Sequence, residues 1–282
     1  MLKDHHYDDC IVWPDGRKVA VTLTFDFQGG EDVRPLPSGK IDNEEYTQCE
    51  YGPNTAIWRL LRILEEEAVK ATFMTCGGIA ERYPEAVKAI VAAGHEVAGH
   101  GYHHECARDL TRDEEDEVMR KTTAMNLSRA GRRPLGWRSC TQSPNSIELL
   151  MKHGYLWNSN SFSFDLPFLW EAGGKVLVEL PRQPFGDGRT YHDDHGNPND
   201  TLAVWKGMFD EFHDESKHRP AYVPFQFHPY ISGRAGRART LRSIIQHMKK
   251  ADGVWFATGT EMARWCLDSI FKDQRAKLAA AS

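Results

Sequence analysis

The chain has 282 residues, of which 40% are hydrophobic and 27% charged. That is an ordinary globular composition, long enough to bury a large core without staples. The net charge of −5 argues against a nucleic-acid partner and against an anionic membrane surface. No apolar run approaches the roughly 20 residues that span a bilayer. The start, Met1-Leu-Lys-Asp-His-His6, carries no apolar signal region, so a cytoplasmic location is expected.

Short apolar strands alternate with amphipathic helices. Val19–Phe25 is a buried strand by composition. A helix is predicted over 54–69, where Ile57, Leu60, Leu61, Ile63 and Leu64 recur on a helical period. Strands follow at 71–75 and 95–99, separated by a helix over 84–93 that opens on Pro84 and ends before Gly94. The helix over 111–125 begins Thr-Arg-Asp-Glu, close to a capping box. Then come strand 135–138, helix 143–153, strands 155–158 and 176–180, helix 202–213, strand 221–227, helix 239–250, strand 254–257 and helix 260–267.

Repeated strand–helix units with short links imply a parallel sheet with helices outside. Seven or so such units suit a closed or nearly closed barrel. One domain over 1–282 is expected, with its core at about 18–268 and a frayed tail at 273–282. Two polar, Gly/Pro-rich stretches, 28–53 and 181–200, interrupt the rhythm and are read as ordered covers of an active site. The six cysteines show no C-x-x-C spacing and are read as free thiols, mostly buried, with Cys140 set apart by its place beside Arg138.

Thirteen histidines are a surplus that asks for a function. The residues suited to chemistry fall just after strands, where barrel active sites form. These are Asp26, the run His100-Gly-Tyr-His-His104, Arg138, Asp165 and His228. His100 and His104 stand four apart, which on a helical turn puts both rings on one face. Two such imidazoles plus a carboxylate and an open position make a catalytic zinc arrangement, though a polar turn with exposed histidines fits the same spacing. Asp26 is a metal ligand, a general base or a cap. His103 points off the shared face. Tyr102, Trp137, Phe168, Trp170 and Tyr230 are candidate pocket walls, or core. His192-Asp-Asp-His195 reads as a lid or subunit contact better than as a second metal site.

Thr24-Phe-Asp26, His100-Gly-Tyr-His-His104, Gly136-Trp-Arg138-Ser, Asp165-Leu-Pro167 and Phe227-His228-Pro229 occur in one order. In that order they resemble the polysaccharide deacetylase family, carbohydrate esterase family 4. Gly29-Gly-Glu31, Glu50-Tyr-Gly52, Trp58-Arg59 and Ser232-Gly-Arg234 are similar to its intracellular branch of allantoinase-like, cyclic-imide-hydrolase-like and Helicobacter-type peptidoglycan-deacetylase-like proteins. The resemblance implies a distorted (β/α)7 barrel and hydrolysis of a non-peptide C–N bond in an N-acyl or cyclic amide. It implies a divalent metal, zinc above others, on Asp26, His100 and His104, and catalysis by Asp26, His228 and Arg138. Tyr102, Trp137, Asp165 and Glu31 are the implied substrate contacts.

In the family the first motif carries two acids, one a base and one a ligand, whereas here Phe27 and Gln28 follow Asp26. Asp26 is then itself the ligand, or Gln28 or Glu31 substitutes, or metal binding is feeble. The readings that follow are a metal-dependent deacetylase or amidase, a metal-independent ring-opening amidase with no cofactor, and a weakened barrel serving as a scaffold. A small-molecule amide as substrate and a homo-oligomer as assembly complete the expectation.

Overall fold

The computed structural model describes residues 11–193 and 196–273, with the backbone alone at 192–193. The expected frayed tail beyond 273 and the side chains of the His192–His195 cluster lie outside the described residues.

Nine strands form one curled sheet: β1 (Val19–Phe27), β2 (Thr72–Thr75), β3 (Glu96–Gly99), β4 (Gly136–Trp137), β5 (Trp157–Asn158), β6 (Phe168–Ala172), β7 (Lys175–Glu179), β8 (Ala221–Phe227) and β9 (Val254–Ala257). The order is β6-β7-β5-β4-β3-β2-β1-β8, with β9 paired to the first half of β1. Every pairing is parallel except β6 with β7. This is the expected parallel barrel in distorted form.

All nine residues of β1 are buried, because a parallel strand is covered on both faces. Its Phe25 stacks on Phe73 of β2 and meets Phe227 of β8, so the three strands share one aromatic core. The helix Ile57–Glu66 buries Ile57, Leu60, Leu61, Ile63 and Leu64, the predicted stripe. Thr111 and Glu114 make the full capping box that opens the helix Arg112–Ala130.

Three elements depart from the sequence reading. The stretch 28–53 contains a helix, Asn43–Tyr51, capped by Asp42. Only Cys49 and Glu50 in it are buried, so no apolar period marks it. The helix predicted to start at residue 202 begins at Pro198, with Asn197 as its cap, so the second long loop is shorter than expected. Strand β6 forms a hairpin with β7 across Gly173 and Gly174, whose positive φ values suit glycine. Cys49, Cys76 and Cys266 are buried thiols, while Cys106 and Cys140 are half-buried with Sγ atoms 3.2 Å apart.

Candidate active site

The C-terminal ends of β1, β3, β4 and β8 bring Asp26, His100, Arg138 and His228 together. Arg138 and Asp26 form the centre. Both are buried, and Arg138 Nη1 lies 2.7 Å from Asp26 Oδ1. Arg138 also donates to Thr24 Oγ1, Ser159 Oγ and the Ser159 carbonyl, so its fork is held on three sides. Gln226 Nε2 donates to the other Asp26 oxygen at 2.6 Å. Burial alone would raise the Asp26 pKa, but Arg138, His100 and His228 outweigh it and hold the carboxyl well below its usual range.

Two imidazoles flank that carboxylate. His100 Nε2 and His228 Nε2 each lie 3.9 Å from Asp26 Oδ2. Their states differ. Burial lowers the His100 pKa to about 3, so the ring is neutral near pH 7. His228 is opposed by burial but raised by Asp187, and further by Asp26 and Asp32, to about 9. Asp187 is fully buried; it accepts from His228 Nδ1 at 2.6 Å, from the His228 backbone N–H and from Ser232 Oγ.

Asp187 escaped the sequence reading. It lies in the 181–200 stretch, 41 positions from its partner, and nothing local distinguishes it from other loop aspartates. Asp32 was missed as well. It lies 3.0 Å from His104 Nδ1 and accepts from Tyr230 Oη at 2.9 Å. The short turn Gly29–Asp32 separates neighbouring side chains by about a third of a revolution, so Asp32 meets His104 and Tyr230 while Glu31 meets Arg82 and His103.

His100 and His104 are adjacent, with ring centroids 4.8 Å apart. The helical turn expected between them is absent: residues 100–104 form a loop, with Gly101 and His104 at positive φ. His103 is exposed and pairs with Glu31 at 2.7 Å.

Four predicted substrate contacts stand elsewhere. Tyr102 turns toward Gly77 and donates to Glu81. Trp137 is core, packed edge-on against Tyr155. Asp165 is half-buried and accepts from Gln183, with Arg219 at 3.5 Å. Glu31 pairs with Arg82 and His103.

The donor set does not fit the metal that the family implies. His100 Nδ1 faces the Arg138 carbonyl at 2.7 Å, so it carries the proton. Gln28 Oε1 lies 2.8 Å from Nε2, an oxygen acceptor facing the nitrogen that carries no proton. Asp26 is committed to Arg138 and Gln226. Gln28 is neutral where a ligating carboxylate would stand. Among the described residues, no group of three or more His, Cys, Asp or Glu side chains is arranged to hold a metal ion.

A parallel barrel with a carboxylate, a charged imidazole and a buried arginine at its C-terminal rim defines a hydrolase-type site. Residues 46–155 match the polysaccharide deacetylase family. A crystal structure from Mycobacterium smegmatis assigned as a polysaccharide deacetylase is 30% identical, with TM-score 0.82 over 90% of this chain and 92% of that one. The peptidoglycan deacetylase of Helicobacter pylori is 26% identical over 80% of this chain and 88% of its own length. The Puue allantoinase structure shares the fold, with TM-score 0.85, 24% identity and coverage of 91% of this chain and 93% of that one. The chain belongs to the polysaccharide deacetylase family and is a hydrolase of carbon–nitrogen bonds other than peptide bonds.

Arg138→Met is expected to cost about 3–5 kcal/mol, because it leaves the Asp26 charge buried and unpaired. Adding Asp26→Asn should recover part of that loss in urea denaturation. A single variant as stable as wild type would contradict the central role given to the pair.

Proposed function

We propose that the chain opens a small cyclic amide, an imide or ureide ring, by water attack promoted by Asp26 and protonation of the leaving nitrogen by His228. The observation that carries this reading is the Gln28 amide facing His100 Nε2, where a ligand carboxylate would be needed. With Asp26 held by Arg138 and Gln226 and Gln28 uncharged, this reading gives the polar work to the protein's own groups.

Asp26 Oδ2 accepts a hydrogen bond from the water and orients it. The new C–O bond forms at the ring carbonyl. The C–N bond breaks as the proton on His228 Nε2 passes to nitrogen, and the water's proton, taken by Asp26 Oδ2, passes on to His228 Nε2, 3.9 Å away, which restores both groups. General acid–base steps of this kind contribute roughly 10²–10⁴-fold each. A carboxylate stabilised as strongly as Asp26 is a weak proton abstractor. It suits a carbonyl already activated by a second electron-withdrawing group, which favours imides and ureides over ordinary acetamides. The allantoinase of like fold supports the ring reading, while the Helicobacter relative favours an N-acetyl sugar.

The experiment sets hydantoin, dihydrouracil, succinimide and chitooligosaccharides before the purified protein and follows ring opening or acetate release. Cleavage of a ring with no acetate release is expected; acetate release with every ring intact would overturn the proposal. The rate has a sign in pH as well. His228 must be protonated, so kcat should hold up to pH about 9 and fall tenfold per unit above it. Asp187→Asn removes the main raising charge, so the fall should begin lower, toward the ordinary 6.5. An alkaline limb unmoved by that change would remove His228 as the acid.

A further inference from the structure

Arg182 stands three residues beyond β7, on the rim that carries the site. Its backbone N–H donates to the Ser161 carbonyl at 2.8 Å, which sets it beside the exit of β5, where Ser159 holds Arg138. Its guanidinium has no hydrogen-bond or ion-pair partner among the described residues, and its Nε is buried and unsatisfied. Its head group lies over the face of Phe162, 4.5 Å from ring centroid to Cζ.

The carboxylates that could neutralise it are engaged elsewhere. Glu179 accepts from Asn158, Trp170 and the backbone N–H groups of Asn160 and Ser161. Asp165 accepts from Gln183 and faces Arg219. Asp26 is bound to Arg138 and Gln226. Burial and the neighbouring charge of Arg138 both bear on Arg182, and its own charge in turn helps hold Asp26 ionised. A guanidinium offers five donors in a planar fork that matches a carboxylate. Withdrawing it from water beside a second arginine is unfavourable unless an anion meets it.

We propose that Arg182 binds a carboxylate of the substrate, so that the amide hydrolysed here carries an acidic side group. A neutral acetamido sugar or an unsubstituted ring offers Arg182 nothing to pair with. Phe162, 54% exposed, lies against the guanidinium and offers an apolar surface beside it. The assignment rests on the ring-opening reading for the substrate's class, but its test needs no turnover.

Isothermal titration compares hydantoin-5-acetic acid with hydantoin-5-acetamide, which differ in one charge. Wild type should bind the acid at least about tenfold tighter, the least that a charge-assisted hydrogen bond contributes. Arg182→Met should abolish the preference. Arg182→Lys keeps the charge without the fork and should retain part of it, with circular dichroism confirming both folds. Equal binding of the two probes, binding of neither, or a preference that survives Arg182→Met would overturn the assignment. Preference for the acid through Arg182 with the ring left intact would overturn the ring-opening reading alone.

Discussion

The site depends on one buried ion pair. Asp26 and Arg138 come from β1 and β4, strands far apart in the chain, and each leaves water on folding. Neither charge is tolerable alone in that position. The surrounding donors follow from this. Thr24 and Ser159 satisfy the rest of the Arg138 fork, and Gln226 donates to the outer edge of the carboxylate. That edge, Asp26 Oδ2, faces His100 and His228 at equal distance.

Equal distance does not give equal chemistry. His100 has an oxygen near each ring nitrogen, the Arg138 carbonyl at Nδ1 and Gln28 Oε1 at Nε2, and burial keeps the ring neutral with a single proton to donate. His228 rests on Asp187, a fully buried carboxylate, and stays charged. The protein thus sets a neutral and a cationic imidazole on either side of one anion, the first by burial and the second through Asp187. On the proposed reading, the same logic sets this site apart from a metal-dependent one. Gln28 keeps the length of the side chain needed to reach His100 but lacks the charge needed to hold a cation.

Much of this was legible in the sequence. The strand ends named Asp26, His100, Arg138 and His228 because apolar runs followed at once by a polar residue mark a barrel rim. The pairing of His100 with His104 was also legible, though for the wrong reason: a left-handed loop, and not a helical turn, brings the rings together. Asp187 and Asp32 were hidden because their roles exist only after folding, one by a contact across 41 positions and one by the side of a short turn that meets His104 and Tyr230. Trp137 shows the opposite limit. An aromatic residue next to a catalytic arginine fits a pocket wall and a core equally well, and it is core. The helix Asn43–Tyr51 left no apolar trace because it lies over the rim and buries almost nothing.

The proposed function rests on Gln28 standing, uncharged, where a carboxylate would help hold a metal. Zinc titration by calorimetry of wild type against Gln28→Asp tests it most directly. The account predicts weak binding to wild type and at least about tenfold tighter binding once the carboxylate is restored. Tight zinc binding by wild type, unchanged by Gln28→Asp, would contradict it.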